Sequence, residues 1–103
     1  MKETQERIKE LVAKYNLSGD ASIKYIDLVS EVGELGKEIL EGNDYGTKKF
    51  EKTEDTFLEL GDVLFSLICV ANELNIDMEE ALDAVLAKYA RRFKKKADIG
   101  SGR

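Results

Sequence analysis

No proline interrupts the 103 residues of this chain, which leaves only glycines and capping residues to stop a helix. Charged residues make up 36% of the chain, and no segment shows the sustained apolar-to-polar alternation of a half-buried strand. The pattern predicts an all-α fold of long amphipathic helices. Breaks fall at Asn16-Leu17-Ser18-Gly19-Asp20, at Glu41-Gly42-Asn43-Asp44-Tyr45-Gly46 and at Asn75-Ile76-Asp77, where Asp77 can cap the next helix with Glu80 three residues on. Thr53, followed by Glu54 and Asp55, suits a helix start because acidic residues complement the dipole of a first turn. The expected helices cover roughly residues 4 to 15, 22 to 41, 54 to 74 and 78 to 95. They form one domain over residues 1–96, with a disordered tail over 97–103.

On a helical wheel, Leu28, Val32, Leu35 and Ile39 share one stripe of the second helix. The third helix is different. Its apolar residues, among them Phe57, Leu60, Leu64, Leu67, Ile68 and Leu74, occupy well over half its circumference, more than one neighbour can bury. A four-helix, bundle-like chain of this size has difficulty enclosing such a helix, so at least a dimer is expected.

Composition narrows the chemistry. The chain has no histidine and one cysteine, which removes imidazole bases, Ser-His and Cys-His pairs, intramolecular disulfides and thiolate clusters. Cys69 is expected in the core of a protein of the reducing cytoplasm. A formal charge of −5 gives no general attraction to a nucleic acid polymer or an acidic membrane. The charged first residues and the lack of a long apolar run argue against export or a membrane span.

The acids carry the most information. Glu31-Val32-Gly33-Glu34 and Glu59-Leu60-Gly61-Asp62 each set two carboxylates three residues apart, on one helix face. On the second helix, Glu38 and Glu41 extend the series, as an ordinary solvated stripe would. On the third helix, Glu59 and Asp62 occupy a narrow polar window of an element otherwise fit for burial. Carboxylates gathered by two packed helices repel, and either a proton or a cation relieves them. With oxygen donors alone, magnesium is favoured, manganese is tolerated and zinc is not expected. A di-iron bundle is excluded, because its Glu-x-x-His pairs cannot be built here. Hard cations on a carboxylate wall commonly handle phosphate, which suggests phosphoanhydride hydrolysis. Gly33 and Gly61, costly in helix interiors, are expected where the two helices approach closely.

These motifs resemble the MazG-like branch of the all-α nucleoside triphosphate pyrophosphohydrolases. The similarity rests on Ser30-Glu31-Val32-Gly33-Glu34-Leu35, on Leu58-Glu59-Leu60-Gly61-Asp62-Val63-Leu64-Phe65, on Ala71-Asn72, and on Ile76-Asp77-Met78-Glu79-Glu80-Ala81-Leu82. The resemblance implies hydrolysis of an NTP or dNTP to the monophosphate and pyrophosphate, in nucleotide-pool housekeeping, with magnesium as cofactor. Glu31, Glu34, Glu59 and Asp62 would be metal ligands and the catalytic acids, one of them positioning the attacking water. Homodimers or homotetramers are implied as well. Relatives commonly have a second acid where this chain has Ser30. They also have phosphate-binding Lys and Asn residues where it has Val85 and Tyr89, which leaves Lys88 and Arg92 as substitutes. Between the two motifs, Lys48, Lys49 and Lys52 surround Phe50, where the lysines can meet phosphates and the ring can stack on a base. The alternatives are a phosphoribosyl-ATP pyrophosphohydrolase and a non-catalytic helical dimerisation module.

Overall fold

A computed structural model of the protein describes residues 1–17 and 19–101, with side chains through residue 97. It contains four helices, α1 (Lys2–Lys14), α2 (Ala21–Gly42), α3 (Glu54–Glu73) and α4 (Met78–Ser101), and no strand among the described residues. Capping side chains start three of them. The Asp20 carboxylate accepts from the Ile23 amide at 3.1 Å, and the Asp77 carboxylate accepts from the Glu80 amide at 3.1 Å. Thr53 and Thr56 form a reciprocal box, each hydroxyl accepting from the other's amide, at 3.2 and 3.4 Å. Each such cap contributes about 1 kcal/mol. Asn16 and Asn75 adopt left-handed backbone just past α1 and α3, as residues after a helix end often do. Helix α4 runs past the expected end near residue 95, because Lys94, Lys95, Lys96 and Ala97 all favour helix and no glycine intervenes before Gly100. Residues 102 and 103 of the expected tail lie outside the described residues.

Helices α1 and α2 both pack on α3. Ala21, Lys24, Leu28, Glu31, Leu35, Glu38 and Gly42 are withdrawn from solvent along α2, stepping by three and four residues as an interhelical seam does. On α3 the matching row is Thr56, Glu59, Val63, Ser66 and Val70. The two helices are antiparallel: the Gly42 end adjoins Glu51, whose amide donates to the Gly42 carbonyl at 3.2 Å, and the Lys24 end meets Cys69. Leu28 and Leu35 of the expected α2 stripe lie on this seam, whereas Val32 and Ile39 are exposed. The seam repeats every seven residues, and these two fall beside it.

The interior of a single chain is small. Among the described residues, Ile68, Cys69 and Ala71 are its buried apolar residues, with Cys69 in the core as expected. Burial pushes the Cys69 thiol above its ordinary value, against the pull of the Lys24 ammonium. The Lys24 ammonium is itself buried and donates to the Leu17 carbonyl at 2.9 Å, tying the α1–α2 connection to α2. Helix α4 packs along none of the other three. The radius of gyration is accordingly 18.2 Å, against about 13 Å for a compact chain of this length. Phe57, Leu60, Leu64, Leu67 and Leu74 of α3 remain exposed, as do Leu82, Leu86, Tyr89 and Phe93 of α4. No helix among the described residues is long and apolar enough to cross a membrane.

The α2–α3 connection is an ordered turn. Asp44, Tyr45 and Gly46 all take positive φ, and the Asn43 side chain accepts from the Gly46 amide at 2.9 Å. Phe50 folds back onto Gly42, where an added Cβ would stand 2.5 Å from the ring. Gly42 is therefore the glycine that permits a close approach. Gly33 and Gly61, expected in that role, have nothing within 4 Å of an added Cβ, because both point away from the seam. Asn72, which the sequence leaves as polar surface or interface, is half-buried and bonded to Gln5 of α1.

Candidate metal centre

The seam that joins α2 to α3 carries carboxylates at positions where such a seam is normally apolar. Glu31 and Glu38 stand on the α2 row and Glu59 on the α3 row, all half-buried, with Asp62 exposed beside them. One carboxylate oxygen from each of Glu31, Glu59 and Asp62 lies within 4.8 Å of the other two. Glu34, read in the sequence as an equal member, is exposed and outside this trio. It stands three residues after Glu31 but off the seam row.

The electrostatics bind the wider group together. The Glu59 carboxyl is held above its ordinary value of 4.5, first by partial burial and then by the charges of Asp62, Glu31, Glu34 and Glu38. Every charge acting on it is negative. Glu38 thus belongs to the field of the site, although the sequence pattern allowed it to be part of a solvated stripe. The signal was its spacing. Seven residues past Glu31 amounts to a rotation of about 20° from the same line, which returns the side chain to the same seam.

The donor set fits a hard divalent cation. Oxygen ligands at about 2.1 Å from a magnesium ion stand roughly 3.0 Å apart when adjacent and 4.2 Å apart when opposite. Rotamer adjustments of an ångström or so therefore bring Glu31, Glu59 and Asp62 into such a shell, with Glu34 and Glu38 near enough to add charge. Cys69, the one thiol, lies toward the other end of α3, against Lys24 and Glu73, so no soft ligand competes.

The basic residues expected at phosphate are not among the charges that act on Glu59. Lys48 is exposed in the α2–α3 turn, its amide donating to the Asn43 carbonyl at 3.1 Å. Lys88 and Arg92 are exposed on α4, the Lys88 ammonium 5.3 Å from the centre of the Tyr89 ring. Phe50, which the sequence leaves either in an exposed connection or free to stack on a base, lies against Gly42.

Known proteins share this fold. The fold superposes on the crystal structure of the Bacillus-conserved MazG protein, a nucleotide pyrophosphohydrolase, with a TM-score of 0.71 and 32% identity, covering 85% of this chain and 86% of that one. The crystal structure of YpjD from Bacillus subtilis gives a TM-score of 0.71 at 34% identity, covering 86% of this chain and 91% of that one. In sequence, YpjD of Bacillus subtilis (strain 168), an uncharacterised protein, is 46% identical over an alignment of 70 residues, covering 65% of this chain and 61% of the relative. The chain thus spans less than two thirds of that relative's length. The profile of the MazG nucleotide pyrophosphohydrolase domain matches residues 21–96, so α2, α3, most of α4 and all the acids of the site fall within it. On these grounds the chain belongs to the MazG nucleotide pyrophosphohydrolase domain family.

Proposed function

We propose that this chain hydrolyses the bond between the α and β phosphates of a nucleoside triphosphate, ribo or deoxy, releasing the monophosphate and pyrophosphate. The observation that carries this reading is the convergence of Glu31, Glu59 and Asp62 from two helices within 4.8 Å, in a chain of this family. Magnesium, with manganese as a substitute, suits these oxygens; when bound, it offsets phosphate charge and raises the acidity of a nearby water. The chain's own residues do the rest. Glu31, Glu59 and Asp62 would hold the cation, with Glu34 beside them, and one of these four acids would accept the proton of the attacking water. Glu59, whose carboxyl is held above its ordinary range, stays anionic more readily once a cation replaces its protons. Lys88, Arg92 and Lys48 supply positive charge to the phosphates. The products fit a housekeeping role in the nucleotide pool.

Assembly is part of the same proposal. A second copy of the chain covers the exposed apolar faces of α3 and α4, because a single chain encloses so little. The test is pyrophosphate release across a panel of canonical and modified NTPs, with magnesium or with chelator. Magnesium-dependent turnover of one or more triphosphates is expected. Turnover of phosphoribosyl-ATP alone would transfer the chain to that reaction, and no turnover of any substrate would leave a helical assembly module.

A further inference from the structure

Gln5 of α1 is only 8% exposed, yet each polar group of its side chain is engaged. Its Nε2 donates to the Ile76 carbonyl at 2.9 Å and to Asn72 Oδ1 at 3.1 Å, and its Oε1 accepts from the Met78 amide at 2.9 Å. Asn72 answers with Nδ2, which donates to the Gln5 carbonyl at 3.0 Å. Ile76 and Met78 flank Asp77, the residue that caps α4. One side chain of the first helix therefore clamps the backbone on both sides of the start of the fourth. The Met78 amide is among the donors that a helix start leaves without an internal partner, and here the partner comes from another element.

This joint matters because no extended packing among the described residues directs α4. Among the described residues the helix packs along none of the others, and in the connection from Leu74 to Asp77 the amides of Leu74, Asn75 and Ile76 donate locally to the carbonyls of Val70, Asn72 and Ala71. Beyond the joint, α3 and α4 bound an apolar groove lined by Leu67, Val70, Leu74, Ile76, Met78 and Ala81. Its continuation along α4 is the exposed row of Leu82, Leu86, Tyr89 and Phe93. A second copy brings both a groove and a protruding helix, which makes the surface self-complementary about a two-fold axis.

We propose that Gln5 is a positioning residue for self-assembly: by gripping Ile76 and Met78 it fixes the direction in which α4 leaves α3 and keeps the groove between them open to a second copy of the chain. This rests on the assembly proposed above. Without the grip, α4 swings about the short connection, and association then has to order it as well. The effect on the metal site is indirect, since Gln5 touches none of its carboxylates.

The test compares the full chain with Gln5→Ala and Met78→Pro. Proline is well tolerated at the first position of a helix and removes the amide from which Gln5 Oε1 accepts, leaving α1 and its bond to Asn72 in place, while Met78→Ala controls for the Met78 side chain that proline also takes from the groove. Sedimentation over a dilution series reads self-association. Spin labels on cysteines replacing Glu54 and Lys94 read the α3–α4 distance in protein diluted with unlabelled chain, and Cys69, 4% exposed, is shielded from the label. Both variants should keep their helical circular dichroism, broaden the distance distribution and raise the dissociation constant about tenfold or more. Wild-type dissociation constants and unbroadened distances in both variants would overturn the proposal. A wild-type chain that stays monomeric at micromolar concentration would overturn the assembly itself, which the distances would not. Should Gln5→Ala unfold α1, Met78→Pro read against Met78→Ala decides the matter.

Discussion

Glu59→Gln isolates the tension built into the α2–α3 seam. In the wild type, the folded Glu59 carboxyl titrates above its ordinary value of 4.5. The native state thus keeps a proton over a pH interval in which the unfolded chain has released it. Stability from this group is fully present below about 4.5 and declines as pH rises through the folded titration. The amide variant has nothing to titrate, so at neutral pH in chelator it should melt higher than the wild type, and the gap should vanish toward pH 4. Magnesium should act in the opposite order. Three oxygens within 4.8 Å can close on one ion in the wild type, whereas the variant offers two carboxylates and a weaker amide oxygen. At a free concentration one hundred times the dissociation constant, binding to the native state alone adds about 2.7 kcal/mol. For a domain near this size that amounts to roughly 10 to 20 °C in melting temperature. The assay is calorimetry of both proteins from pH 4 to 8, with magnesium and with EDTA. Equal magnesium shifts in the two proteins, or a wild type that gains stability relative to the variant as pH rises in EDTA, would refute the reasoning.

Other outcomes follow from the same geometry. Asp62→Asn should reduce pyrophosphate release by at least about a hundredfold while the helical signal is kept, and Glu38→Gln should weaken magnesium binding measured by calorimetric titration without abolishing it. Ile68→Ala, at the 1% exposed centre of the chain, should cost about 2–5 kcal/mol in urea unfolding. Gly42→Ala drives a methyl group into the Phe50 ring and should cost about 1–3 kcal/mol, whereas Gly33→Ala meets open space and should gain up to about 1 kcal/mol.

Much of this was legible in the residues. Helix starts at Thr53 and Asp77 were legible because side chains that accept amide hydrogens are local chemistry that a sequence displays, whereas Asp20 stood only in the break after α1 and caps α2. The paired acids were legible for a similar reason, since spacing fixes a helix face and like charges on facing helices need an explanation. What stayed hidden depends on register between helices. The difference between Glu34 and Glu38 is which row meets α3, and a wheel drawn for one helix does not choose the partner's side. Gly33 and Gly61 look like contact points by cost alone, yet they face away from the seam. Gln5 gave no signal, because a glutamine on a charged first helix looks like any solvated residue until the chain returns 71 positions later to offer it the Ile76 carbonyl.

Ile68 is the one fully enclosed side chain among the described residues, and this has a consequence for abundance. On the assembly proposed above, most of the apolar surface is shielded only while copies meet, so the midpoint of thermal unfolding climbs with protein concentration. A cell that makes few copies would hold them partly apart and open to proteolysis, and one that makes many would protect each with its neighbours. Expression level would then set how long each molecule survives.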